Sequence, residues 1–364
     1  MAAAGPDTSP QIFAFVLVPR FNMMALTTTL EPLRIANYFS GRTLYEWRFL
    51  SVAGDTLTAS NGMSLDTEPL GGEDRRWSAI FVCGSWNAQR YENARLFGWL
   101  RRMDRYGIPL GAMEVGTFIL ARAKLLSGYR ATTHLHCIRA FTEEFADTII
   151  EERLFVIDRD RMTSAGGTAG LDMMLDDVRR RHGLQLMLQV AEQILHYPIR
   201  DSATPQRRTA GGTAKVPHPV LRETIALMEN NLEEPIAIPD LAAAVGISQR
   251  KLERLFRKHM GASAIGFYRV MRLEFARILL MYTNLTIREV SVACGFSSLS
   301  HFAKSFAAQF GKRPRDHRES WPESEPMPIW PGTNELLVEA AKVAARRGRR
   351  GPQLEPGEPI TPAG

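Results

Sequence analysis

The sequence predicts a chain in two parts: an α/β N-terminal domain on a mostly parallel sheet, then an all-α C-terminal domain with two helix-turn-helix units. Two observations predict it. Over residues 11–195, short apolar, β-rich runs alternate with amphipathic helical segments, the pattern of a parallel sheet covered on both faces. In the last third one pattern occurs twice: a small-residue helix, a Gly turn, then a second helix with spaced apolar anchors. In the first copy Leu241, Ala242, Val245, Gly246 and Ile247 lead into Leu252, Phe256 and Gly261. In the second, Val290, Cys294, Gly295 and Phe296 lead into Phe302, Phe306, Gly311 and Pro314. Both copies keep the four-residue step between anchors and the five-residue step to the next Gly.

Taken in order, Ile12-Phe-Ala-Phe-Val-Leu-Val18 reads as a strand buried on both faces. A helix over residues 24–38 follows. Apolar runs at 47–52, 79–83, 108–113 and 154–157 supply further strands, and amphipathic stretches at 94–106, 115–123 and 136–145 supply the helices between them. Residues 171–195 read as longer helical material closing a domain of residues 11–198. From 199 to 219 Ser, Thr, Gly, Pro and Arg dominate and periodicity is lost, as in a linker. The helical domain occupies 220–320, with 267–282 as one helix joining its two units. Residues 321–364 are Pro- and Glu-rich, hold one candidate helix at 335–347, and read as a disordered tail. Its cluster Arg346-Arg-Gly-Arg-Arg-Gly-Pro352 is either a solvated charge run or an added non-specific contact to a polyanion.

A length of 364 residues allows two to three cored domains. No apolar run approaches the roughly 18 residues of a membrane span, and the first ten residues lack the layout of a signal peptide. Cys83, Cys137 and Cys294 are odd in number and lack metal-ligand spacing, so neither a disulfide framework nor a metal site is expected, and a reducing cytoplasm is the expected location. The net charge of +6 is localised: residues 215–320 carry 16 Lys/Arg against 10 Asp/Glu, whereas residues 1–214 carry 24 against 23 and residues 321–364 carry 5 against 6. A positive excess confined to the helical domain favours a polyanion partner.

Within the first helical unit, Pro239-Asp240 opens a helix, Ala242 lies where two helices approach closely, and Gly246 allows the sharp turn. Ser248 caps the second helix, on which Leu252, Leu255 and Phe256 share the core face. That leaves Gln249, Arg250, Lys251, Glu253, Arg254 and Arg257 for solvent or DNA. Arg250 and Arg254, four apart near the helix start, suit one major groove. In the second unit the turn is one residue longer, and the exposed set is Ser298, Leu299, Ser300, His301 and Lys304. Double-stranded DNA is the expected partner, read by Gln249, Arg250, Lys251, Arg254, Ser298, Ser300, His301 and Lys304, the first unit reading bases and the second contributing more to positioning. A rigid joining helix would set the two readers for successive major grooves about 34 Å apart. A purely structural bundle is the competing reading, but it requires neither registered Gly turns nor a local basic excess.

The segments Arg272-Leu-Glu-Phe-Ala-Arg-Ile-Leu-Leu280, Ile287-Arg-Glu-Val-Ser-Val-Ala-Cys-Gly-Phe-Ser-Ser298, Phe302-Ala-Lys-Ser-Phe306 and Phe310-Gly-Lys-Arg-Pro314 resemble the AraC-type transcription regulators over roughly 100 residues. The resemblance implies a bacterial transcription factor, usually an activator, binding promoter DNA as a homodimer with RNA polymerase as a protein partner. One departure is Ala264, where the first unit commonly has the Pro that Pro314 supplies in the second.

Ile108-Pro-Leu-Gly-Ala-Met-Glu-Val-Gly-Thr-Phe118 reads as a strand entering a tight turn and then a helix, an elbow that presents one side chain above a parallel sheet. With the first strand, Val82-Cys-Gly84 and Arg130-Ala-Thr-Thr-His134, it resembles the class I amidotransferase-like (ThiJ/PfpI) fold, a flavodoxin-like sandwich. That fold is fused to AraC-type domains in the GlxA-like regulators. The enzymatic relatives place a nucleophilic Cys at the elbow. Here that position is Glu114, which cannot do a thiol's work, so no catalytic residue and no cofactor are expected. A ThiJ/PfpI-type amidase or hydrolase tethered to DNA is the alternative. The expected ligand-binding residues are Gly84, Ser85, Trp86, Glu114, Val115, Thr133 and His134. An acid and an aromatic in one cleft suit a cationic amine, and the resemblance points the same way, since related regulators respond to amino acids and quaternary amines such as arginine, betaine and carnitine. Equally, Glu114 reads as a hydrogen-bonded structural acid, Trp86 as packing and His134 as a satisfied buried histidine.

Overall fold

The computed structural model describes residues 9–71, 77–85, 88–206, 218–283 and 285–319. The chain divides into two units, one of residues 1–208 with 281–284 and one of residues 209–280 with 285–364.

In the first unit the elements run β1 (Gln11–Leu17), α1 (Met23–Ser40), β2 (Tyr45–Ser51), β3 (Leu57–Thr58), β4 (Ser64–Leu65), β5 (Glu68–Pro69), β6 (Ala79–Gly84), α2 (Ala94–Arg105), β7 (Leu110–Glu114), α3 (Gly116–Arg122), β8 (Arg130–Ala131), α4 (Ile138–Glu144), β9 (Ile149–Ile150), β10 (Phe155–Asp158), β11 (Arg161–Ser164), α5 (Ala169–His182) and α6 (Leu184–Gln193). Seven strands form one sheet in the order β10-β11-β7-β6-β1-β2-β5. Every pairing in it is parallel except β10 with β11.

Side-chain alternation explains why β1 is apolar at every position. Phe13, Phe15 and Leu17 join Phe81, Cys83 and Met113 in the core formed with α1, α5 and α6. The intervening Ala14 and Val16, with Ile80 and Val82 of β6, are also fully buried, so the opposite face is covered as well. Close approach of α1 and α5 depends on Gly170: a Cβ there would lie 2.1 Å from Thr29 Oγ1. The helical stretch expected over 171–195 is two helices, because Gly183 breaks it at φ +93°. Strand β11 carries no apolar run, yet Met162, Thr163 and Ser164 are buried because it is inserted between β10 and β7.

The second unit contains α7 (Pro219–Asn230), α8 (Ile238–Ala244), α9 (Gln249–Met260), α10 (Ala264–Tyr282, of which residues up to 280 belong to this unit), α11 (Ile287–Ala293), α12 (Leu299–Phe310) and α13 (Pro314–Glu319). Helix α10 is buried on nearly every side, with Phe267, Met271, Phe275, Ile278 and Leu279 in the core, as expected of a central helix. Its buried Glu274–Arg277 pair closes at 3.2 Å, and the Arg277 guanidinium stands 4.8 Å from the Phe310 ring centroid.

Residues 199–206, in the stretch expected as a linker, hydrogen-bond to the first unit, whereas 207–217 and the tail from 320 onward lie outside the described residues. Among the described residues, no helix is long and apolar enough to cross a membrane.

Candidate functional site

In a parallel sheet the C-terminal ends of the strands meet at one edge, where ligands bind in open α/β folds. Here β6 and β7 end side by side, with Gly84 opposite Glu114. Glu114 holds φ +57°, a left-handed conformation that costs a non-Gly residue of order 1–3 kcal/mol and is kept only when the surroundings over-determine it. The surroundings do so. A Cβ on Gly116 would lie 2.3 Å from the Val82 carbonyl oxygen, and one on Gly84 would lie 2.8 Å from the Gly116 nitrogen, so α3 starts hard against the end of β6. From the other side Gly166, at φ +86°, leaves room for Glu114: a Cβ there would meet the Glu114 Cβ at 2.8 Å. The Glu114 carbonyl accepts hydroxyl hydrogen bonds from Thr117 at 3.2 Å and Thr133 at 2.8 Å.

The Glu114 side chain is buried, 7 % of the residue being exposed, and its Oε2 has no hydrogen-bond partner among the described residues. Burial raises its pKa to about 7, opposed by a hydrogen bond from the Asn22 side chain. Asn22 is the N-cap of α1: its Oδ1 accepts from the Ala25 N–H at 3.1 Å, which leaves its amide N–H for the carboxylate. The elbow is therefore a buried carboxyl group poised near neutrality, with Oε2 unsatisfied among the described residues. Desolvation of this kind strengthens pairing with an incoming cation.

Gly84, Ser85, Glu114, Val115 and Thr133 are all buried at this edge, and His134 is half-buried beside it. Burial lowers the His134 pKa to about 4, so its ring is neutral, and it meets His136 edge-on at 4.7 Å. Trp86 lies outside the described residues. Asn22 was absent from the expected set. Its signal was an Asn capping the helix that leaves the C-terminal end of β1, which a parallel sheet must bring to the same edge. The thiols of Cys83 and Cys137 are buried, and burial pushes both pKa values well above the ordinary range; the Glu114 charge adds to the rise at Cys137. Neither supplies a thiolate nucleophile at neutral pH.

In the second unit the two helix pairs share one frame when counted from their caps. Ser248 and Ser298 each accept the backbone N–H three residues on, from Lys251 at 3.3 Å and His301 at 3.4 Å. Counted from these caps, Leu252 and Phe302 fall at the fourth position, and Phe256 and Phe306 at the eighth; all four are fully buried. Gly261 and Gly311 then end both helices in the left-handed conformation at φ +68° and +77°. Between α8 and α9 lie four residues and between α11 and α12 five, so the extra residue falls before the cap and leaves the anchors in register. Gly246 and Gly295 make the turns at φ +69° and +68°.

Gln249, Arg250, Lys251, Arg254, Arg257 and Lys258 are exposed on α9, as are Ser298, Ser300, His301 and Lys304 at the start of α12. Glu253 instead accepts from the Ala264 N–H at 3.3 Å. That bond explains the departure at 264, since a Pro there would have no proton to give. Ser263 supplies the start signal by accepting from the Gly266 N–H at 3.2 Å.

Residues 241–320 match the helix-turn-helix domain family. Over 332 residues the chain is 39% identical to the HTH-type transcriptional regulator GbdR of Pseudomonas aeruginosa, covering 91% of this chain and 90% of that protein. It is 35% identical over 315 residues to the HTH-type transcriptional regulator GlxA of Rhizobium meliloti, covering 86% of this chain and 97% of that protein. Among solved structures, a ThiJ/PfpI family protein from Pseudomonas syringae is 23% identical with a TM-score of 0.46, covering 63% of this chain and 93% of that one.

Proposed function

Because this chain belongs to the AraC-type transcription regulators with a GlxA-like N-terminal domain, we propose that the elbow is its effector site and that α9 is its principal base reader. The observation that carries the first part is the buried carboxyl of Glu114, whose Oε2 has no partner among the described residues. A small cationic amine or quaternary ammonium compound would supply the opposite charge to this carboxyl, with Gly84, Ser85, Val115, Thr133 and His134 as the remaining wall. The site works by binding and not by turnover: its elbow residue is a carboxylate and the two neighbouring thiols are held protonated.

On the DNA side, Gln249, Arg250, Lys251 and Arg254 would meet base edges in one major groove, while Ser298, Ser300, His301 and Lys304 would position the second unit. Ser298 spends its acceptor on the helix cap, which leaves its hydroxyl proton for a phosphate. The functional form would be a homodimer on promoter DNA acting on RNA polymerase as an activator, with the stretch after residue 199 as the connection between the units.

A thermal-shift screen with arginine, betaine and carnitine against neutral isosteres tests the effector class. A cationic compound should raise the melting temperature of the wild type by several degrees and leave Glu114→Gln unmoved. An equal response to the neutral isosteres would overturn it.

A further inference from the structure

After α6 the chain does not leave the first unit at once. Residues 196–206 are held against it by two polar clasps. The first is the Asp172 carboxylate, in the first turn of α5 with no exposed side-chain surface. It accepts from His196 Nε2 at 2.8 Å, from the Arg200 backbone N–H at 3.0 Å, and from the Arg200 guanidinium at 3.0 and 2.5 Å. The same guanidinium donates to Thr168 Oγ1 at 2.6 Å.

The second clasp is Gln206. Its Nε2 donates to Thr132 Oγ1 at 2.9 Å, to the Thr133 carbonyl at 2.8 Å and to the Arg153 carbonyl at 2.9 Å. Backbone pairing flanks it: the Leu154 N–H donates to the Thr204 carbonyl at 3.0 Å and the Gln206 N–H to the Glu152 carbonyl at 3.3 Å.

The two clasps differ in completeness. Asp172 has both oxygens satisfied by charge-assisted bonds, the strong kind. Gln206 Oε1 is buried with no hydrogen-bond partner among the described residues, so opening this end recovers a desolvation cost and is the cheaper of the two. Both clasps also begin next to the elbow. Thr133, whose carbonyl holds Gln206, gives its hydroxyl to the Glu114 carbonyl at 2.8 Å. Thr168, held by Arg200, lies two residues beyond Gly166, which abuts the Glu114 side chain.

We infer that residues 196–206 form a strap, fixed at Asp172 and releasable at Gln206, through which the elbow sets the point where the chain leaves the N-terminal unit. A shift of the Glu114 peptide reaches Thr133 through one hydroxyl, and Thr133 reaches Gln206 through its carbonyl. An effector at the elbow then acts on the strap to the extent that it binds the closed and released forms differently. This last step rests on the elbow being the effector site; the strap and its tie to the elbow do not.

Hydrogen exchange on the full-length, ligand-free protein tests the tie. Thr133→Val keeps the shape and the carbonyl but removes the hydroxyl to Glu114. It should speed exchange of the Leu154 and Gln206 amides at least tenfold, while Thr133→Ser matches the wild type. Gln206→Leu, at a half-buried position, should speed the same amides and also that of Thr132 on the elbow side. Should Thr133→Val fail to fold, the Thr132 response to Gln206→Leu decides alone. Strap amides unmoved by Thr133→Val, or a Thr132 amide unmoved by Gln206→Leu, overturns the coupling. Betaine added to the wild type separates the two proposals: accelerated strap exchange in the variants with no betaine, arginine or carnitine effect leaves the strap standing and removes the effector site.

Discussion

Arg272, on α10, donates from Nε to the carbonyl of Cys294 in the second turn at 2.7 Å. Its other nitrogen reaches the Gly295 carbonyl at 2.5 Å, and the guanidinium plane stands 4.2 Å from the Phe296 ring centroid. One side chain thus ties the central helix to the turn that aims α12. A lysine offers neither the fork nor the stacking. Arg272→Lys should destabilise the protein by about 1–3 kcal/mol in urea melts and weaken operator binding in gel-shift titrations. An unchanged midpoint would remove Arg272 from this role.

Gly246 and Gly295 hold almost the same φ but different surroundings. Among the described residues nothing lies within 4 Å of a Cβ built on Gly246, whereas one on Gly295 would stand 2.6 Å from the Glu233 carbonyl oxygen and 2.7 Å from the Pro235 ring. Gly246→Ala should therefore cost only the left-handed backbone penalty of about 1–2 kcal/mol. Gly295→Ala should cost about 1–3 kcal/mol more through overpacking. Equal losses in denaturant melts would contradict the crowding at Gly295.

Glu114 makes stability depend on pH with a definite sign. Its pKa rises from 4.5 to about 7 on folding, so the folded state favours the protonated acid. That contribution is complete below about pH 4.5 and lost as pH climbs through about 7. Glu114→Gln, an isostere of the neutral acid, should match the wild type at pH 4.5 and exceed its stability by about 3 kcal/mol at pH 8. A difference that does not grow with pH would show that Glu114 titrates normally. By the same sign, a cation should bind more tightly as pH rises through 7.

On α9, Arg250→Ala and Arg254→Ala should each weaken operator binding by about 1–3 kcal/mol and relax preference at the bases they meet. Lys304→Ala should weaken binding uniformly across sequences and lower the salt dependence by about one counterion. Competition gel shifts over a range of salt separate the two behaviours, and identical profiles for all three variants would deny α9 its base-reading role.

Cys83, Cys137 and Cys294 are all buried. The native protein should leave a thiol reagent such as DTNB unconsumed at pH 8 on the minute timescale and consume three equivalents per chain after unfolding in urea. Rapid labelling of the native protein would reopen thiol chemistry at the elbow.

The repeated turns were legible because they are local. A Gly at the turn, a Ser at the cap and apolar anchors at helical spacing each act within about a dozen residues, so Gly246, Ser248, Leu252 and Phe256 predict their own arrangement and that of their copies. The elbow was legible for the same reason, since a strand, a turn and a helix are contiguous from Leu110 to Arg122. Asn22 escaped because it meets Glu114 across 92 positions of sequence, and Gln206 escaped because its stretch has the composition of a free linker. The polar strand β11 was invisible to any apolar pattern, as its burial comes from its neighbours.

By itself, then, the sequence determined the two fold classes, the paired helix-turn-helix units with the basic face of α9, and the identity of the elbow residue, because periodicity, capping and turn chemistry are properties of short stretches. Only the tertiary structure decided which side chains surround Glu114, that its carboxyl is desolvated to a pKa of about 7, and that Thr133 ties it to Gln206. Desolvation and hydrogen-bond geometry depend on distances between segments far apart in the chain, and those distances exist only once the sheet has gathered its strand ends at one edge.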